Sequence, residues 1–278
     1  MEMAMHRKSS VYANISGFFA IIFMGFPVYW MVTTSFKNRQ DVLSTEPTIL
    51  PRSFTIENYQ NAFSREGFYT SLRNSLIVVL ITVAISLFLA TFASVAIART
   101  KFTGKRSFIS ALLIVQMLPL SALIIPLFLL LTRLQLTNTI GGLALTYVAF
   151  ILPFTIWTLR GFLANIPTDI EEAALVDGCT RVQAYRHVLL PLMAPGLVAT
   201  AIFAFIQAWN EFLLAYIIMQ SQENLTLPVW LASFTTRTGT DWGPLMAAST
   251  VTAIPVVIFF SLIQKRIATG VTAGAVKG

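Results

Sequence analysis

The side chains able to do chemistry are few in this chain, and their spacing narrows what they can do. Histidine occurs only at His6 and His187 and cysteine only at Cys179, so there is no Cys/His metal cluster and no disulfide pair. Gly104-Lys105 lacks the glycine five residues earlier that a phosphate-cradling loop needs, and there is no H-E-x-x-H and no nucleophile elbow. The chain therefore reads as non-catalytic. Two constellations remain. Asp169, Glu171, Glu172 and Asp177 place four of the twelve acids within nine residues. Glu211 is the one acid inside a long apolar run and follows Trp209-Asn210. An ionisable group in an apolar span is costly and points to function. Aromatic and amide neighbours suit a hydroxyl-rich ligand, so Trp209, Asn210 and Glu211 are candidates for a substrate path. The alternative for Glu211 is a helix-end acid near the outer interface, paired with a basic loop residue.

The elements that must position these residues follow from composition. Of 278 residues, 56% are hydrophobic and 11% charged, against about 25% charged in soluble domains. With a mean hydropathy of +0.73, this excludes a soluble globular domain, a disordered chain and a disulfide scaffold. Apolar runs of the roughly 20 residues needed to cross a bilayer fall at about 13–36, 74–98, 107–132, 140–159, 196–219 and 244–264. None alternates as a membrane β-strand does, so the expected fold is an all-α polytopic membrane protein of six transmembrane helices, one domain over residues 1–278. The first run follows Arg7-Lys8 but is too long for a signal peptide and lacks a small-x-small cleavage site, so it reads as a retained helix. Pro119, Pro126, Pro153 and Pro255 suggest kinks, and Tyr29-Trp30 and Trp242 suit the outer interface.

Basic residues orient the chain. With the N-terminus cytoplasmic, twelve of the nineteen lie inside, including Arg99, Lys101, Lys105 and Arg106 in a connection without acids. Five of the other seven lie in the long 37–73 segment, where the rule weighs little. Both termini are thus expected in the cytoplasm. The outer 37–73 connection reads as an ordered loop with one short helix, and residues 265–278 as a flexible cytoplasmic tail.

The inner connection 160–195 is the most informative. Thr168 with Glu171, and Thr180 with Gln183, have capping-box spacing. Asp177-Gly178 is a helix stop, and Pro191 is expected to end the second helix. Two short helices at an angle result. A DNA-reading helix-turn-helix has this shape, but membrane spans flank the segment and its charge is nearly balanced, which is poor for phosphate contact; no nucleic-acid partner is expected. A structural hairpin and a docking element for a cytoplasmic partner remain.

Glu172-Ala173-Ala174, Asp177-Gly178 and Leu190-Pro191 resemble the EAA loop of binding-protein-dependent ABC importer permeases. Asn58-Tyr59 with Phe63, Arg73-Asn74-Ser75-Leu76, Trp209-Asn210-Glu211-Phe212, Thr226-Leu227-Pro228 and the tail Gly270–Gly278 resemble the maltose-type carbohydrate branch, from about residue 26 to the end. Cys179 stands where the family usually has alanine. The resemblance implies a type I ABC importer permease fold in a prokaryotic cytoplasmic (inner) membrane. It implies a coupling helix that docks in a cleft of an ATPase through Glu171, Glu172, Ala173, Ala174, Asp177 and Gly178. There Glu172 would meet a basic group or cap its own turn, the alanines would fit the cleft, and Gly178 would form the corner. The implied partners are a second homologous permease, two copies of a cytoplasmic ATPase subunit, an extracytoplasmic solute-binding protein, the lipid bilayer and a sugar. No cofactor is implied on this chain; ATP and Mg belong to the ATPase, toward which the tail would reach. A glycerol-phosphate-type permease is the near alternative. A secondary transporter is the distant one, lacking inverted repeats and midplane ionisable groups other than Glu211.

Overall fold

A computed structural model describes the backbone of residues 2–275 and the side chains of residues 14–262. Arg7, Lys8, Lys265, Arg266 and the motif-bearing tail thus have side chains outside the described residues. The chain divides into two compact units, Met1–Phe68 with Leu231–Ile254 and Tyr69–Trp230 with Pro255–Gly278.

In the first unit, α1 (Glu2–Ser35) carries an apolar stretch over Asn14–Ser35 that is largely uncovered by the chain, with only Thr34 and Ser35 at its end buried. A helix apolar all round has lipid or other protein as its solvent. The connection after it is ordered by polar contacts. Asn38 caps α2 (Arg39–Val42), its Oδ1 accepting from the Asp41 amide at 2.8 Å. Lys37 is buried, donates to the Thr48 carbonyl at 2.6 Å and lies 4.1 Å from the centre of the Trp30 ring. Burial pulls its pKa down, and the nearby Asp41 carboxylate works against that shift. In α3 (Glu57–Ser64) the Asn58 amide donates to the carbonyls of Ser35 at 3.0 Å and Lys37 at 2.7 Å, and the Tyr59 hydroxyl meets Ser35 at 2.7 Å. The loop thus holds two short helices rather than the one expected. The unit also contains an antiparallel hairpin of β1 (Thr235–Thr236) and β2 (Gly239–Thr240).

In the second unit, α4 (Phe68–Arg99) is a continuous 32-residue helix, beginning before the expected Asn74. The expected span over 107–132, with a kink suggested at Pro119, is a sharply bent pair, α5 (Lys105–Met117) and α6 (Leu120–Arg133), turned by 101°. Pro119 explains the break: it lacks an N–H and forces Leu118 to extended backbone, ψ 128°. Helix α7 (Ile140–Ala164) starts where Thr139 accepts from the Gly142 amide. The expected span over 196–219 is also interrupted. Helix α11 (Ala194–Trp209) stops, residues 210–212 are unwound, and a short helix, Leu213–Ile218, follows. The Arg73–Leu76 and Thr226–Pro228 segments meet. Asn74 donates to the carbonyls of Glu223 and Leu225, and Ser75 Oγ accepts from the Leu227 amide at 2.7 Å. Ala90, Ile97, Ile156 and Leu159 form a core with Leu197 packed on it. A Cβ on Gly196 would fall 2.6 Å from the Phe162 ring, so α11 and α7 approach only because that residue is glycine. The last helix, Trp242–Ala275, continues past the expected end at Gln264.

Among the described residues, four helices are long and apolar enough to cross a membrane, and the count reaches six if each bent pair is one span.

Candidate functional site

Two regions collect the chemically able residues. The first is the 160–195 connection, where α8 covers Asp169–Val176. Thr168 lies in helical backbone, φ −66° and ψ −27°, and its side chain makes no capping bond. The expected Thr168–Glu171 capping box therefore does not form, because a cap needs extended backbone to turn its oxygen onto the helix. Glu171 turns to α4 instead: Arg99 Nε donates to its Oε1 at 2.5 Å, and Arg99 Nη2 donates to the Ile166 carbonyl at 2.9 Å. The helix ends as the sequence predicts. Gly178 sits at φ +91°, its N–H reaching the Leu175 carbonyl and the Cys179 N–H the Ala174 carbonyl. This paired arrangement needs glycine at the corner. The second capping box does form: the Thr180 amide donates to Gln183 Oε1 and the Gln183 amide to Thr180 Oγ1.

Beyond it, the helical path ends at Leu192, one residue past Pro191, as expected. Residues Arg181–Ala184 (α9) give way to a π-turn over Tyr185–Leu189 and then Leu190–Leu192 (α10), with a 66° bend into α11. A widened turn accommodates a proline ring that would otherwise strike the carbonyl four residues back. Leu163, Leu189 and Met193 anchor the connection, with Val95, Ala98, Ile166 and Tyr185 packed on them.

Of the six expected docking residues, Glu172, Ala173, Asp177 and Gly178 are exposed, Ala174 is buried within the chain, and Glu171 is occupied by Arg99. The sequence reading missed an apolar patch beside the exposed ones. Val176 is 87% and Val182 74% exposed, with Ile170 and Leu175 at 41% each. These are large apolar side chains that the chain itself leaves uncovered on a connection between apolar helices.

The second region is the break at 210–212. The Glu211 carboxylate accepts from the amides of Leu214 at 2.7 Å and Ala215 at 3.1 Å, capping the short helix α12 (Leu213–Ile218). It also accepts from the Tyr147 hydroxyl at 2.7 Å. It is thus a helix-end acid, but its partners are a tyrosine and backbone rather than a basic loop residue. It also lines a cavity of about 240 Å³ with Gln116, Tyr147, Phe154, Phe203 and Gln207, the two phenylalanine rings stacked at 3.8 Å. Trp209 and Asn210 do not reach this cavity. Trp209 is buried and stacked on Phe205 at 5.6 Å, while Asn210 is exposed and donates to the Ile206 carbonyl. Gln116, Tyr147 and Gln207 were legible as lone polar residues in apolar runs.

A larger polar cleft of about 690 Å³ lies in the first unit, lined by Arg39, Glu57, Asn61, Arg65, Asp241 and Trp242 among others. No group of three His, Cys, Asp or Glu among the described residues is placed to hold a metal.

Comparison with known proteins gives three results. Residues 86–273 match the family described as binding-protein-dependent transport system inner membrane component. The chain is 44% identical over 268 residues to the diacetylchitobiose uptake system permease protein DasC of Streptomyces coelicolor, covering 96% of this chain and 97% of that protein. It is 40% identical to the trehalose transport system permease protein SugB of Mycobacterium tuberculosis, covering 91% and 92%. Its fold matches a chain in the crystal structure of a bacterial ABC transporter that imports the acidic polysaccharide alginate. There the TM-score is 0.79 at 23% identity, covering 94% of this chain and 96% of that one.

Proposed function

Because the chain belongs to the binding-protein-dependent transport system inner membrane component family, we propose that it is the membrane-spanning subunit of an ATP-driven sugar importer. In this reading it forms half of the translocation path in the cytoplasmic membrane, together with a second, similar permease. Hydrolysis of ATP with Mg takes place on two partner ATPase subunits, and an extracytoplasmic binding protein delivers the sugar. Both termini are cytoplasmic, the bent α5–α6 pair forms one of six spans, and α11 with α12 forms another.

The observation that carries the reading is the exposed apolar patch of α8 and its neighbour, set at a corner fixed by Gly178. A chain without a phosphate loop has to take its energy from a partner, and this patch offers the partner a rigid surface. ATP-driven closure of the ATPase pair moves the docked segment as a body and switches the bundle between two packed states. The Glu211 cavity supports a neutral, hydroxyl-rich ligand. Its amides, phenol and carboxylate can exchange hydrogen bonds with sugar hydroxyls, and its phenylalanine faces can stack on a sugar ring. A glycerol-phosphate-type anion would meet a carboxylate there and no cation among the lining residues. The relatives' names, diacetylchitobiose and trehalose, point to the same class. The polar cleft of the first unit suits the face that receives the binding protein.

The experiment is co-purification followed by uptake in proteoliposomes. The chain should bring down an ATPase subunit and a second permease, and uptake should require ATP and the loaded binding protein. Uptake by the chain alone, without ATP, identifies a secondary transporter and overturns the proposal.

A further inference from the structure

We propose that Arg99 is a positioning residue that clamps the docking loop to α4, so that α4 takes up the displacement of α8. This inference rests on the loop being the ATPase-docking element. Three observations carry it. First, α8 packs chiefly on the loop's own second half, Arg181–Ala184 and Tyr185–Leu189, and has only Ala174 of its eight residues buried, so a tie to α4 has to come from a side chain such as Glu171. Second, the Arg99 guanidinium makes two bonds on either side of the entry to α8, to the Glu171 carboxylate at 2.5 Å and to the Ile166 carbonyl at 2.9 Å. Of the two ion pairs among the described residues, this one has both side chains largely buried, 14% and 21% exposed. The other, Arg52–Asp41, is 3.9 Å long with the arginine 62% exposed. A short, partly desolvated, charge-assisted contact holds geometry that a surface pair does not. Third, the same end of α4 grips the loop's second half. Phe92 stacks on Tyr185 at 5.9 Å, and Val95 and Ala98 pack on Leu163, Leu189 and Met193. Positions 92, 95 and 99 share one helix face, so α4 contacts both arms of the loop, and Arg99 is its hold on the arm that carries the docking residues.

The clamp also gives Glu171 a role distinct from its neighbour's: Glu172 is exposed for a partner, whereas Glu171 faces the chain itself.

The test uses the assembled permease–ATPase complex in proteoliposomes and reads sugar transported per ATP hydrolysed. Arg99→Glu should keep ATPase recovery and basal hydrolysis but lose about tenfold in transport per ATP, the size of a typical coupling free energy, and Glu171→Arg should lose transport per ATP by a similar factor. The double exchange should recover most of the loss, though not all, because a glutamate at position 99 cannot donate to the Ile166 carbonyl. Arg99→Lys should fall between wild type and the reversals, since an ammonium lacks the fork that spans two acceptors. A second measurement is independent of folding differences. In a Cys179→Ser background, Arg99→Cys with Glu171→Cys should be poorly coupled until joined by a short reducible thiol cross-linker, and poorly coupled again after reduction. Single reversals that transport like wild type overturn the clamp, as does an assembled double exchange no better than the singles, or a cross-link without effect. A wild-type chain that recovers no ATPase overturns the docking reading instead, which keeps the two failures apart.

Discussion

Glu171 and Glu211 are both acids beside helix ends and both are hydrogen-bonded within the chain, yet they are neutralised differently. Glu171 meets a guanidinium from another helix, which cancels its charge and turns the contact into a mechanical link. Glu211 meets a phenol and two backbone amides, which satisfy its oxygens without cancelling its charge, and it faces a cavity. Under the proposed function, the difference separates a region that would transmit force from a region that would meet the transported molecule. Substitutions in the loop should change transport per ATP while leaving the sugar dependence of uptake alone, and substitutions at the cavity should do the reverse.

The largest effect is expected at the loop's corner. Gly178→Asp places a side chain at φ +91°, which costs about 1–2 kcal/mol for a non-glycine residue, and adds charge where the partner docks. Transport should fall about 100-fold, with the amount of protein in the membrane, read by immunoblot, unchanged; normal transport would remove the corner from the coupling path. Val176→Glu puts a charge in the centre of the apolar patch and should lower ATPase recovery about 30-fold, as expected for a central interface residue, without changing the KM of whatever uptake remains. Glu211→Gln keeps the shape but replaces an acceptor oxygen with a donor amide, facing donors already committed to it. A loss of about tenfold in kcat/KM for sugar is expected from one buried charge-assisted network, with ATPase recovery at the wild-type level; a loss of ATPase instead would merge the two regions. Tyr147→Phe removes one hydroxyl and should cost about threefold in the same parameter, the worth of a single neutral hydrogen bond.

Much of this arrangement could be read in the sequence, and the misses have specific causes. The shape of the 160–195 connection was legible because glycine at a helix stop and Thr180–Gln183 spacing act locally, within a few residues. Thr168–Glu171 carries an equally good local pattern and failed, because a guanidinium 72 residues away in the chain competes for the same carboxylate. The bend at Pro119 was visible as a proline but not its size, since only the surrounding packing decides between a kink and a full break. The helix end near Pro191 was legible, but the π-turn just before it was not, because it answers a proline ring four residues on. At the cavity, charge in an apolar run singled out Glu211, which lines it. Its immediate neighbours Trp209 and Asn210 point elsewhere, because the helix stops at Trp209 and the chain is unwound from 210 to 212, so no helical period relates the three side chains. The residues that do join it, Gln116, Tyr147 and Gln207, come from three different helices, a juxtaposition that periodicity cannot supply.

The most direct measurement is recovery of the ATPase subunit with the tagged chain, compared among wild type, Val176→Glu and Glu211→Gln from the same membranes. Docking through the loop predicts full recovery with wild type and Glu211→Gln and almost none with Val176→Glu. Equal recovery with all three would contradict it.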